Sequence, residues 1–179
     1  MIANRLFLAA LLASAFASAN AQQPAQPSPY QVAGGASDPA AVKRVQESLD
    51  APWKFQTKRL SKAEVDALLA KPDSVIFVDL RAPEEFIRFG SFPVFLSVQN
   101  KDLEKQLAWL PRDRTIVTVS NHSQRAGAAG DLLTAKGFKV AGATGAEEYE
   151  VAGGTAVSHL VPRAPRVAGA ASAASAPRS

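Results

Sequence analysis

The sequence predicts a single α/β domain in which helices flank a mainly parallel central sheet. Short apolar segments alternate with helical segments across residues 57–158. The clearest apolar segment, residues 75–80, is continuous rather than alternating, which is typical of a parallel strand covered on both faces. Strands that alternate with helices at this spacing predict a parallel sheet.

The first helix of the domain is marked at both ends. Ser61 and Glu64 have the spacing of a capping box, in which each side chain accepts a hydrogen bond from the other residue's backbone N–H. Pro72 cannot continue a helix and also restricts the residue before it, so we expect the helix to stop before Lys71. Residues 38–49 also have helical spacing and predict a separate helix ahead of the domain.

The remaining elements follow from the same patterns. Gly137 is predicted to end the longest helix in the left-handed conformation that glycine adopts without strain. After the strand at 75–80, the predicted order is a helix at 84–89, a strand at 94–98, an amphipathic helix at 101–110, a strand at 116–119, a helix from 126, a strand at 139–143 and a helix at 146–151.

Residues 1–21 have the features of a secretory signal peptide. Arg5 gives a positive start, residues 6–17 are apolar, and Ala19-Asn20-Ala21 fits a small-x-small cleavage site. An apolar run of about a dozen residues is shorter than the ~20 needed to span a bilayer. We therefore expect a cleaved signal, a periplasmic or secreted protein, and no stable membrane insertion after cleavage.

Composition predicts the other boundaries and excludes nucleic acid as a partner. Of the 20 lysines and arginines, only Arg5 and three tail arginines lie outside residues 22–159, where all 16 acidic residues lie. The folded part is thus formally neutral, without the basic patch that nucleic-acid binding needs.

The predicted segments are a Pro/Gln-rich linker at 22–37, a pre-domain segment at 38–56, the domain at 57–158 and a disordered Ala/Pro/Arg tail at 159–179.

A polar loop after the strand at 116–119 is the candidate site. Backbone N–H groups at the start of the following helix converge there, and the helix dipole favours a negative charge. A small oxyanion is therefore one expected ligand. The predicted anion-binding loop consists of Ser120, Asn121, His122, Ser123, Gln124 and Arg125.

Other interpretations of the loop residues stay open at this stage. Asn121 and Ser123 are residue types that favour helix capping. Arg125 either closes an anion site or pairs with an acid such as Glu85. Ser120 and His122 would be the nucleophile and base of a serine hydrolase, although no orienting carboxylate lies nearby in the sequence.

Charged residues beside the loop are expected to support it. Asp79 and Arg81 follow the strand at 75–80, and Glu85 lies in the next helix. We expect Asp79 and Arg81 to hold the loops at the sheet edge by hydrogen bonds and ion pairs, because paired charges are often structural.

Four segments follow one another in a fixed order along the chain. They are Val78-Asp79-Leu80-Arg81 with Pro83-Glu84-Glu85-Phe86, then Gly90-Ser91-Phe92-Pro93, then Leu110-Pro111-Arg112-Asp113, and finally Thr144-Gly145 with Tyr149 and Gly153. This ordered set resembles the rhodanese-like (sulfurtransferase) family over residues 57–157. That family has an Asp-Val-Arg…Glu-Phe segment, a Gly-His-Ile-Pro turn, a Leu-Pro-Lys-Asp segment and a Gly-Gly…Trp…Gly spacing. Here Ser91 replaces the usual histidine of the turn, with about one extra residue before it.

The resemblance implies which residue stands at the catalytic position. The family loop reads Cys-x-x-x-x-Arg, so Arg125 sets the register and Ser120 takes the place of the cysteine. The family reaction passes a sulfur atom through a cysteine persulfide, and a thiol ionises near pH ~8.5 whereas a serine hydroxyl ionises far higher. Because the sequence contains no cysteine, we predict no catalytic residue and no sulfur transfer by the family mechanism.

The expected function is therefore binding, with a small oxyanion or another exported protein as the ligand. The rival hypothesis is the serine hydrolase that would use Ser120 and His122. A third possibility is an accessory domain of a secreted complex, with the two terminal segments as spacers. No cofactor is expected. The two histidines lack the spacing and cysteine partners of a zinc site, so we expect no metal.

Aromatic residues are assigned to packing by default. Trp53 and Phe55 are expected to pack on the domain, and Trp109 is expected to be in the core or half-buried. The remaining aromatic residues near the altered turn are also expected to be buried, and would form a docking patch if exposed: Phe89, Phe92 and Phe95.

Overall fold

The computed structural model describes residues 38–159. The predicted signal peptide, the linker and nearly all of the predicted tail lie outside this range. None of the helices within it is long and apolar enough to cross a bilayer. The elements are α1 (Pro39–Asp50), α2 (Lys62–Leu69), β1 (Val75–Asp79), α3 (Pro83–Phe89), β2 (Phe95–Ser97), a 3₁₀ helix (Asn100–Trp109), β3 (Thr115–Ser120), α4 (Ser123–Ala135), β4 (Val140–Gly145) and α5 (Ala146–Val151).

The sheet has four strands in the order β2-β1-β3-β4, and every pair is parallel. Buried side chains of α4 and the 3₁₀ helix pack on one face, and those of α2 and α5 pack on the other. The predicted α/β fold is therefore confirmed. Because the strands are parallel, their carboxyl ends meet at one edge, where Asp79 of β1 is paired with Val119 and Ser120 is the next residue of β3.

Helix ends largely follow the sequence signals. Ser61 and Glu64 form the predicted capping box at the start of α2. Gly137, directly after the last turn of α4, has a φ of 80°, as predicted for a left-handed residue at this position. The predicted helix at 38–49 is present as α1.

The structure corrects two elements. The predicted amphipathic helix at 101–110 is a 3₁₀ helix, which begins without a side-chain cap and is closed by i→i+3 bonds such as Asp102 N–H to the Gln99 carbonyl. Helix α4 begins at Ser123 rather than at Ala126. The predicted six-residue loop is consequently reduced to Asn121 and His122, because Ser120 still belongs to β3.

Aromatic packing agrees with the sequence at one position and not at another. Trp53 and Phe55 stack edge to face and lie against α4, where a Cβ on Gly127 would approach the Phe55 ring to 2.4 Å. The small residue therefore lets this segment pack on the helix. The prediction for Trp109 is wrong, since the side chain is 81% exposed while the extended residue after it, Leu110, takes the core position.

Candidate functional site

Ser120 is fully buried at the end of β3, and its hydroxyl donates a hydrogen bond to the His122 backbone carbonyl. The hydroxyl is therefore neither exposed to a substrate nor directed at the His122 ring. A nucleophile needs a base within hydrogen-bond reach and room for the reacting atom. The described geometry provides neither for Ser120.

The start of α4 is capped by a carboxylate from another helix. Its N-cap residue, His122, makes no side-chain cap bond. The Ser123 backbone N–H and the Ser123 hydroxyl both donate to Glu148 Oε1 of α5, each at 3.0 Å. The expectation that Asn121 and Ser123 cap the helix is wrong, because Glu148 accepts from the N-terminal amide instead.

Close packing of α5 on the loop makes this cap geometrically feasible. Gly145 precedes α5, and a Cβ at that position would lie 2.7 Å from the Asn121 carbonyl oxygen. The Glu147 N–H donates to the same carbonyl at 3.2 Å. The first turn of α5 therefore lies directly against the loop, and both of its glutamates face the candidate site.

Glu147 is the second carboxylate that α5 contributes. Its side chain is 2% exposed, and Oε1 accepts from Arg44 Nη2 of α1 at 2.6 Å. His122 Nε2 lies 3.1 Å from Oε2, although the ring is not aligned for a hydrogen bond. Burial acts to raise the pKa of the Glu147 carboxyl, but the neighbouring His122 and Arg44 side chains outweigh it and hold the pKa below its ordinary value.

Asp79 and Arg81 form a buried ion pair on the other side of the loop. Arg81 Nε and Nη2 donate to the two Asp79 carboxylate oxygens at 2.9 and 2.7 Å, and the side chains are 0% and 1% exposed. The guanidinium also donates to the Gly90 carbonyl and to Asn121 Oδ1. Arg81 thereby connects Asp79 to the loop before β2 and to the loop after β3.

Asn121 connects this pair to the surface. Its amide nitrogen donates to Glu85 Oε1 at 3.0 Å, and Glu85 in turn pairs with Arg125 through Nη2 at 2.7 Å and Nη1 at 3.2 Å. Burial acts to raise the pKa of the Glu85 carboxyl. Hydrogen bonds from Arg125 and from the Ala82 amide lower the pKa by more, so it lies below its ordinary value. Of the two interpretations of Arg125, its pairing with Glu85 is the one the geometry displays.

A cleft of about 610 Å³ lies above these pairs, between α1, α3 and the start of α4. It contains five of the predicted site residues, whereas Ser120, Ser123, Asp79 and Arg81 are buried. α1 and α5 also contribute to the cleft, and no local pattern in the sequence indicates these contributions. The residues that line the cleft are Arg44, Glu47, Ser48, Glu85, Phe89, Asn121, His122, Gln124, Arg125 and Glu147.

Charge in the cleft is mixed. Two arginines and one histidine face three glutamates, and each of the two guanidinium groups is already paired with a carboxylate. Within residues 38–159 no group of three or more side chains is arranged to hold a metal ion. The cleft presents paired charges and no exposed nucleophile at the Ser120 position.

Solved structures provide three comparisons. A rhodanese-like domain protein from Staphylococcus aureus is 17% identical, with a TM-score of 0.48 over 58% of this chain and 99% of that one. The thiosulfate sulfurtransferase from Pseudomonas aeruginosa is 24% identical, with a TM-score of 0.47 over 66% of this chain and 22% of that one. The Bacillus anthracis protein CoADR-RHD is 22% identical, with a TM-score of 0.47 over 55% of this chain.

This chain spans only 17% of the length of the Bacillus anthracis protein. No curated protein matches the sequence. A family model described as the rhodanese-like domain matches residues 61–154, which is more than half of the 179 residues. The match includes the buried Asp79–Arg81 pair and the Ser120–Arg125 segment, and the chain therefore belongs to the rhodanese-like domain family.

Proposed function

We propose that this rhodanese-like domain is a non-catalytic module that binds another exported protein through the cleft. The observation that carries the proposal is Ser120, which stands at the family's cysteine position in a sequence without cysteine. A persulfide requires a thiolate to attack the sulfur donor, and a serine oxygen cannot substitute for it.

Hydrolysis by a serine is not supported by the arrangement of hydroxyl groups near the cleft. The Ser120 hydroxyl is committed to the His122 carbonyl. The hydroxyls of Ser48 and Ser123 both donate to Glu148 Oε1. None of the three therefore donates to the imidazole that would have to act as the base.

A protein ligand fits the cleft better than a small oxyanion. The α4 amide predicted to attract an anion already donates to Glu148, and Arg44 and Arg125 are already paired with Glu147 and Glu85. A small oxyanion would have to displace these carboxylates. A protein surface instead offers charges of both signs and apolar groups that match the mixed lining, which includes the half-buried Phe89 ring.

The catalytic part of the proposal is tested by incubating the unaltered protein and Ser120→Cys with thiosulfate. We expect no sulfur transfer and no covalent gain of a sulfur atom in the unaltered protein, measured by cyanide-dependent thiocyanate release and by intact mass. Sulfur gain by Ser120→Cys would show that the scaffold is intact and only the thiol is missing. Sulfur transfer by the unaltered protein would overturn the proposal.

The binding part is tested by site-specific crosslinking. A photo-crosslinking residue at Gln124, which lines the cleft, is compared with one at Lys136, which is exposed at the far end of the same helix. Discrete protein adducts from position 124 alone would support the proposal. Adducts from neither position, together with a higher thermal midpoint in thiosulfate, sulfate or phosphate, would favour a small oxyanion instead.

A further inference from the structure

Helix α1 adds a wall to the cleft that the family match does not include. The match begins at residue 61, whereas α1 spans Pro39–Asp50. α1 packs on α5 and buries Ala41, Val45 and Ser48, while Val42 and Leu49 stay 42% and 45% exposed. An element outside the matched domain therefore covers the start of α4, where the Ser120–Arg125 segment lies.

The two glutamates in the first turn of α5, Glu147 and Glu148, hold α1 in place. Glu147 Oε1 accepts from Arg44 at 2.6 Å, and Glu148 Oε1 accepts from the Ser48 hydroxyl at 2.8 Å. That Glu148 oxygen is the one that also accepts from Ser123 of α4. One carboxylate thus joins α1 to the amide end of α4.

The last turn of α1 is held through its backbone carbonyls. Arg59 Nη2 donates to the Ser48 carbonyl at 3.3 Å, and the Gln124 amide lies 3.5 Å from the Ser48 carbonyl and 3.4 Å from that of Ala51. These long bonds at a partly exposed surface are exchanged for bonds to water when the helix opens, so each contributes less than the bonds to the α5 carboxylates. The buried apolar part of α1 is limited to two short side chains, Ala41 and Val45.

We propose that α1 is a detachable cap, docked in cis by Glu147 and Glu148 over the start of α4. It opens while the sheet stays folded, because its contacts are mainly polar and lie at the edge of the molecule. A helix of 12 residues is only marginally stable when isolated in water, so the detached α1 also unwinds. The idea that this opening admits a protein partner to the cleft rests on the proposed function. The docking of α1 by the two glutamates does not depend on it.

Hydrogen exchange of the intact protein tests the cap. The combined variant Arg44→Gln with Ser48→Ala removes both side-chain bonds to the α5 glutamates. We expect the protection factors of the α1 amides to fall by roughly tenfold or more, since bonds to charged groups are the stronger class. The amides of β3 are expected to keep their protection, which would show that the fold is unchanged.

The matched control is Lys43→Gln, which also removes a cation from α1. Lys43 Nζ lies 3.9 Å from Glu47, and the two side chains are 80% and 65% exposed. We expect this variant to leave the protection of α1 within about twofold, as exposed pairs contribute little. An equal loss in the control and in the combined variant would overturn the role of the α5 glutamates.

The unaltered protein provides a second measurement that does not depend on either variant. If α1 is detachable, its amides exchange faster than those of β3, because local opening costs less free energy than global unfolding. Equal protection of α1 and β3 in the unaltered protein would overturn the proposal, since α1 would then open only with the whole domain. Failure to find a partner by crosslinking would refute the proposed function and leave these exchange results unaffected.

Discussion

Two charged clusters meet at the cleft, and they differ in burial and in sequence separation. The inner cluster is centred on Asp79 and Arg81, which are two residues apart and fully buried. The outer cluster joins α1 to α5, and its Arg44–Glu147 and Ser48–Glu148 contacts span 103 and 100 residues. Each cluster fixes a different part of the site.

The difference shows which part of the site belongs to the domain and which part is added to it. The inner pair is sealed from water and holds Gly90 and Asn121 in place, so it contributes to the folded state itself. The outer pair has one partner, Arg44, that is 37% exposed and lies on α1 outside the family match. Breaking the inner cluster should therefore affect the whole domain, whereas breaking the outer one should affect α1 first.

The largest expected effect is that of Arg81→Met. The change leaves the Asp79 carboxylate buried without its partner, and breaking a buried ion pair in this way costs about 3–5 kcal/mol. Urea unfolding followed by circular dichroism measures the loss. The exposed Arg88→Met on α3 is the control and should change the free energy of unfolding by less than about 0.5 kcal/mol.

A loss below about 1 kcal/mol for Arg81→Met would contradict the structural role assigned to the inner cluster. It would also remove the contrast between the two clusters, because the inner one would then contribute no more to the stability of the whole domain than the outer one. The double variant Arg81→Met with Asp79→Asn removes both charges, so its comparison with Arg81→Met separates the effect of an unpaired charge from that of lost hydrogen bonds.

The inner cluster could be predicted from the sequence because its members are local. Asp79 and Arg81 follow a continuous apolar strand, so they had to lie at the carboxyl edge of the sheet. The alternating strands and helices were equally local signals and predicted the fold. The pairing of Arg125 with Glu85 could be named but not decided, because it depends on how α3 and α4 pack.

The outer cluster could not be predicted because its contacts join distant segments. Acidic residues in the first turn of α5 are expected from the dipole of that helix alone. The sequence therefore does not indicate that they also contact α1 and α4. Nothing local indicates that Glu148 caps α4, so the sequence favours a capping role for Asn121 and Ser123 that the structure does not show. Proximity of Gly145 to the Asn121 carbonyl is likewise visible only in three dimensions.

An intermediate effect is expected for Glu148→Ala. The variant leaves the Ser123 amide, the Ser123 hydroxyl and the Ser48 hydroxyl without their acceptor, and loss of a helix cap costs about 1–2 kcal/mol. Urea unfolding measures this loss against Glu84→Ala, an exposed glutamate in the first turn of α3. Equal losses in the two variants would mean that Glu148 acts only through the dipole of its own helix.

The smallest effect is expected from acidification. One carboxyl is followed at each cluster: Glu85, which accepts a hydrogen bond from Asn121 beside the inner cluster, and Glu147 of the outer cluster. Each carboxyl has a folded-state pKa below the ordinary value of 4.5. The folded state therefore binds fewer protons than the unfolded state in this range, and the resulting stability is fully present above the unfolded pKa. It is lost as the pH falls from about 5 through the lower folded-state pKa values.

Glu147→Gln tests this linkage, because glutamine keeps the shape of the side chain and does not titrate. We expect the free energy of unfolding to fall less steeply between about pH 5 and 3 than in the unaltered protein, and Glu85→Gln should behave in the same way. Urea midpoints measured across this range provide the slope. If Glu147→Gln left the slope unchanged while Glu85→Gln reduced it, Arg44 and His122 would not be stabilising the buried Glu147 carboxylate, and the outer cluster would depend on Glu148 alone.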